Sequence, residues 1–121
     1  MYLIGDIGNS EIKVCLVNSK NTIIKKINFS SNTITFKTIK KNFKKLNIDF
    51  NNIEKILFCS VVPKSLNLIK KYLKTKTKIR CFEVKELALS SLLKIKVNYK
   101  QVGSDRITNA ISLIDNKRNF I

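Results

Sequence analysis

The first thirty residues read as short apolar stretches separated by turn residues, the second of them alternating with a period of two, before the pattern switches to helical spacing. Residues 1–7, 11–18 and 22–29 each read as a strand. In the second, Ile12, Val14 and Leu16 take one face and Lys13, Cys15 and Val17 the other. The connections Gly8-Asn9-Ser10 and Asn18-Ser19-Lys20-Asn21 are built from turn residues, so the three strands form an antiparallel meander. Phe36, Ile39, Phe43 and Leu46 then make one apolar stripe. They predict a helix capped by Ser31 or Asn32 and running to about Leu46, with lysines on its wet face. A fourth strand spans Ile53 to Val61, and its unbroken run Ile56-Leu57-Phe58-Cys59 suits a central strand covered on both faces. Pro63 falls in the first turn of a second helix, whose buried stripe is Leu66, Ile69 and Leu73. Ile79 to Val84 is a fifth strand. Residues 86–93 fit a short helix or an ordered loop equally, and Ile95 to Asn98 fit a short strand. Gly103-Ser104-Asp105-Arg106 opens a last helix with Ile107, Ala110, Ile111 and Ile114 on one face.

The order β-β-β-α-β-α-β joins hairpin-linked antiparallel strands to parallel strands reached by helical crossovers. It predicts an α/β fold: a mixed five-stranded sheet flanked by helices on both sides, the ribonuclease-H-like layout. Ligands in such a sheet belong near the first hairpin and the ends of the central strands.

Composition narrows the picture. At 121 residues and 44% hydrophobic, the chain is one domain with a real core. No apolar run approaches the ~20 residues of a membrane span, and no signal peptide is read at the N-terminus. Cys15, Cys59 and Cys81 lack Cys-x-x-Cys spacing and there is no His, which argues against zinc and for buried thiols in a reducing cytoplasm. The formal charge of +16 invites a nucleic-acid partner. However, the 24 basic residues are nearly all Lys, with Arg only at 80, 106 and 118, and Lys, Asn and Ile share A/T-rich codons. Biased codon usage accounts for the charge without a partner, and nucleic acid is not expected as one.

Two stretches carry chemistry. Asp6 places a carboxylate at a strand end beside the Gly8-Asn9-Ser10 corner. Such a corner can hold a nucleotide phosphate on backbone N–H groups while the carboxylate takes a metal ion or its water; it is also simply a hairpin turn. Asp105 at a helix start stays ionised, and can orient a hydroxyl substrate and accept its proton in phosphoryl transfer. Arg106 can fork onto a carboxylate. The plain alternative is a capping Asp with a surface Arg.

Asp6-Ile7-Gly8-Asn9-Ser10 with Lys13, then Ser60-Val61-Val62-Pro63, then Val102-Gly103-Ser104-Asp105-Arg106 with Asn109-Ala110, resemble in order and interval the N-terminal half of a type III pantothenate kinase. That family lies in the actin-like, sugar-kinase-like superfamily of duplicated ribonuclease-H-like domains, and the resemblance covers essentially the whole chain. It implies that residues 1–121 are one actin-like half-domain, the first ATPase/kinase domain, with the second absent from this chain. It implies ATP-dependent phosphorylation of pantothenate to 4′-phosphopantothenate, the first step of coenzyme A synthesis. By resemblance, Asp6, Ile7, Gly8, Asn9, Ser10, Glu11, Ile12 and Lys13 form the ATP-phosphate loop, with Asp6 also meeting the divalent ion. Gly103, Ser104, Asp105 and Arg106 line the pantothenate pocket, with Asp105 as catalytic base and Arg106 on the substrate carboxylate. Ser60-Val61-Val62-Pro63 is structural. The resemblance further implies Mg2+ or a similar divalent ion, K+ or NH4+ held by the second domain, a homodimer and a cytoplasmic location. Residues 86–94 depart from the pattern, being Leu/Ser-rich where the family usually carries a glycine-bearing loop, and the approach to Gly103 is shortened. Half of a two-domain clamp is expected to bind ATP poorly and show little or no turnover alone. Two other readings stay open: a non-catalytic nucleotide-binding or dimerisation module, and a basic nucleic-acid-binding protein.

Overall fold

The structure is a computed structural model that describes residues 1–84. Its elements are β1 (Tyr2–Ile7), β2 (Glu11–Val17), β3 (Ile23–Ser30), α1 (Phe36–Lys44), β4 (Lys55–Ser60), α2 (Pro63–Lys74) and β5 (Cys81–Glu83), with one 3-10 turn at Phe50–Asn52. The expected β-β-β-α-β-α-β order is therefore complete within them. One sheet runs β3-β2-β1-β4-β5. β1 and β3 flank β2 antiparallel, while β4 lies parallel to both β1 and β5. This is the mixed ribonuclease-H-like sheet. The segments 86–93 and 95–98, and the helix expected from Gly103, lie outside the described residues.

The meander turns follow from their asparagines. Asn18 Oδ1 accepts the N–H groups of Lys20 and Thr22, both at 2.9 Å, and Asn21 takes the left-handed conformation at φ 63°. Leu3, Ile7, Ile12, Val14, Ile56 and Phe58 turn one face of the sheet toward Ile39, Phe43 and Leu46 from the α1 segment and Leu66, Ile69 and Leu73 of α2. On the opposite face, Ile4, Cys15, Val17, Leu57 and Cys59 form a second buried cluster. Both described helices pack on the first face, so of the helices expected on both sides of the sheet the described residues hold those of one side.

α1 differs from its expected start. Thr35, not Ser31 or Asn32, is the cap: its Oγ1 accepts the Thr38 N–H at 3.2 Å, and Thr38 Oγ1 accepts the Thr35 N–H at 2.8 Å. This reciprocal pair satisfies two amides, whereas Ser31 and Asn32 are used in the turn that leaves β3. Starting there, the helix leaves Phe36 in its first turn, 41% exposed rather than in the core, with one edge against Tyr72 at 5.6 Å. Tyr72, not singled out in the sequence, is buried and packs edge-on to Phe43 at 5.2 Å. Burial also pushes its phenol above the ordinary value.

β4 is the central strand that its apolar run predicts: Ile56, Leu57 and Phe58 are all fully buried, and the strand is paired on both sides. Ile56→Ala is expected to cost about 2–5 kcal/mol, read by chemical denaturation. A loss under about 1 kcal/mol would mean that the strand behaves as an edge.

Candidate phosphate-binding corner

β1 is fixed between two strands, and its register sets what stands at its end. Asp6 faces Lys13 of β2 on one side and Cys59 of β4 on the other, and Ile7 faces Ile12 and Ser60. Asp6 is only 5% exposed. Lys13 is half-buried and makes no ion pair among the described residues. A carboxylate and a lysine ammonium thus share the sheet face next to the turn.

The turn itself is closed by the Gly8 N–H donating to the Glu11 carbonyl at 2.9 Å. Asn9, Ser10 and Glu11 are exposed, and among the described residues no hydrogen bond engages the N–H of Asn9 or Ser10. Asn9 is not left-handed; among the described non-glycine residues that conformation falls to Asn21 and Asn47. Two available amides, an adjacent ammonium and a buried carboxylate suit an anionic ligand brought with a divalent cation. Ile7 and Ile12 have fully buried side chains in the core, so any ligand contact of theirs falls to the backbone.

The neighbouring edge of the corner is built by Ser60-Val61-Val62-Pro63. The Val61 N–H donates to the Ile7 carbonyl at 3.0 Å, which extends the β1–β4 ladder past Ser60. Ser60 Oγ accepts the Val62 N–H and donates to the Val62 carbonyl, both at 3.0 Å, which folds the chain into α2 with Pro63 at its first position. Val62 provides no side-chain cap, so the start of α2 leaves free amides and the positive end of its dipole at the same end of the sheet as the corner.

Asp6 offers hard oxygen donors to a divalent ion. Among the described residues no cluster of three or more His, Cys, Asp or Glu could hold a metal ion. A magnesium ion carried mainly by nucleotide phosphates needs only one or two protein carboxylates, which Asp6 fits. The three cysteines are buried, and burial pushes the Cys15 thiol up against the pull of Lys26 and Lys13. Gly103, Ser104, Asp105 and Arg106, together with residues 86–94, lie outside the described residues. No described helix is long and apolar enough to cross a membrane.

Two residues that matter here carried little signal. Gly5, one turn of the pleat before Asp6, lies under the Phe58 ring, and only the register reveals it. Ser31 has the composition of a helix cap, yet it is held against the corner by its N–H, which donates to the Ser10 carbonyl at 3.1 Å.

Comparison with known proteins bears on the whole chain. The model of the type III pantothenate kinase family matches residues 2–121. A type III pantothenate kinase of Pelagibacter ubique is 54% identical over 121 residues, which is 100% of this chain and 49% of that protein. The chain therefore spans about half the length of this relative. Among solved structures, the S. cerevisiae translation termination-like factor Dom34 overlaps 95% of this chain and 38% of its own, at 16% identity and a TM-score of 0.42. A likeness at that level supports no argument about this chain.

Proposed function

The chain belongs to the type III pantothenate kinase family, and we propose that it is the nucleotide-binding first half of an enzyme that phosphorylates pantothenate with ATP. The observation that carries this reading is the corner at the end of β1, where unengaged Asn9 and Ser10 amides stand beside buried Asp6 and half-buried Lys13. In this reading the amides and Lys13 hold nucleotide phosphates, and Asp6 faces the accompanying magnesium ion. That ion would neutralise charge developing on the transferred phosphoryl group. Asp105 takes the proton from the primary hydroxyl of pantothenate, and Arg106 forks onto the pantothenate carboxylate. Gly103 and Ser104 complete that pocket. The chemistry needs a clamp of two domains, so residues 1–121 act with a second domain that brings the K+ or NH4+ ligand, in a cytoplasmic homodimer.

Asp6→Ala tests the assignment in a two-domain enzyme containing this chain. Losing a charge-assisted contact is expected to raise the KM for magnesium–ATP about 10- to 100-fold. The KM for pantothenate should change far less. An unchanged ATP dependence would remove Asp6 from the nucleotide site.

A further inference from the structure

Ser31 is the buried hydroxyl that the fold leaves unexplained. It is 9% exposed, and among the described residues its Oγ is shielded from solvent with no hydrogen-bond partner. A buried hydroxyl normally finds a partner, and one that does not calls for a reason. Its place suggests the reason. The β2–β3 register pairs Glu11 with Ser30, and the Ser31 N–H donates to the Ser10 carbonyl one step further on. Ser31 is thus directly opposite Ser10. Opposed residues share a sheet face with Cβ atoms about 4.5–5.5 Å apart. Ser10 is exposed and turns about a single χ1 angle, so its hydroxyl is able to reorient.

We propose that Ser31 is a positioning residue for the phosphate corner, its hydroxyl donating to Ser10 Oγ when Ser10 turns its own hydroxyl onto a phosphate oxygen. The proposal rests on reading this corner as the nucleotide-phosphate loop. A serine hydroxyl has one proton to give and lone pairs to accept with. In the free chain Ser10 is exposed, and Ser31 Oγ has no partner among the described residues. With an anion in the corner, the relay from Ser31 through Ser10 to the phosphate satisfies all three groups, and each bond polarises the next. The free protein carries the cost of the unpaired hydroxyl, and ligand binding relieves it.

The signature separates positioning from structural support. Replacing a structural hydroxyl lowers stability; removing an unpaired buried one does not. The 121-residue chain, labelled with 15N, would be titrated with magnesium–ATP and separately with magnesium–tripolyphosphate, following the Asn9 and Ser10 amides, a readout that weak binding does not defeat. Ser31→Ala is expected to raise the apparent Kd about fivefold while leaving the Tm equal or higher. In a Ser10→Ala background the same change should have no further effect on Kd. Wild-type amide shifts with an unchanged Kd in Ser31→Ala would overturn the role of Ser31. A full fivefold loss persisting without Ser10 would overturn the relay. Absence of any shift at Asn9 and Ser10 in the wild-type chain would instead overturn the phosphate corner itself, and the proposal with it.

Discussion

Gly5→Ala is expected to be the most damaging single-methyl change in the described core, costing about 3 kcal/mol or more. A Cβ built on Gly5 would overlap Cε2 and Cδ2 of the Phe58 ring and come within 2.7 Å of Cζ. Phe58 is the register partner of Gly5 across the β1–β4 pair and is fully buried, so its ring has no empty side to move into. The strands cannot part either, because β1 is also held by β2 and β4 by β5. Interiors resist such overpacking by shifting backbone or forcing rotamers. For a domain of this size the loss corresponds to a fall in Tm of roughly 10 °C or more. Thermal and chemical denaturation would measure it. Phe58→Ala alone should cost about 3–5 kcal/mol. The double substitution should cost clearly less than the sum, since the alanine at position 5 then fills space that the ring has vacated. An unchanged midpoint in Gly5→Ala, or strict additivity, would contradict this packing. The same change would also disturb Asp6, the next residue on the strand, so nucleotide binding should suffer with stability.

The second large effect belongs to Asp105→Asn. In a two-domain enzyme containing this chain, kcat is expected to fall about 10²–10⁴-fold with little change in stability. Asparagine keeps the shape of the carboxylate and removes its charge and basicity. In phosphoryl transfer most of the catalysis comes from positioning and charge stabilisation, and the acceptor hydroxyl still has to lose its proton to a group held beside it. The sequence predicts that Asp105 stands at a helix start, where the macrodipole holds it ionised and ready to accept. The KM for ATP should move little. Near-normal kcat would remove Asp105 as the base and leave it a helix cap.

Where the local pattern is decisive, sequence and structure agree in detail. The alternation of Ile12, Val14 and Leu16 with Lys13, Cys15 and Val17 separates the two faces of β2 as the structure does, Ile12, Val14 and Leu16 in one cluster and Cys15 and Val17 in the other. The run Ile56 to Cys59 likewise marks a strand covered on both sides. The start of α1 was less legible. Ser30, Ser31, Asn32, Thr33 and Thr35 are all competent caps. What selects Thr35 is the reciprocal bond with Thr38, a side chain outside the usual Glu or Gln partner of a capping box. Phe36 keeps helical spacing yet lies in the first turn, where spacing no longer guarantees burial.

The corner was legible as a place, because Asp6, Gly8, Asn9 and Ser10 are neighbours in sequence. Its chemistry depends on more. Which amides stay unengaged is decided by the single Gly8–Glu11 bond, and Lys13 comes beside Asp6 only through the register of β1 on β2. Gly5 and Ser31 escape a reading along the chain for the same reason. Their significance lies in partners 53 and 21 residues away, Phe58 and Ser10.

The most direct test of the proposed activity is ATP-dependent phosphorylation of pantothenate with magnesium and potassium present. The purified chain would be assayed alone, then mixed with a separately made C-terminal half of a homologous kinase. Turnover is expected only in the mixture, abolished by Asp105→Asn in this chain. No turnover in the mixture, with both parts folded and the wild-type chain still binding nucleotide, would contradict it and leave a nucleotide-binding module in place of half an enzyme.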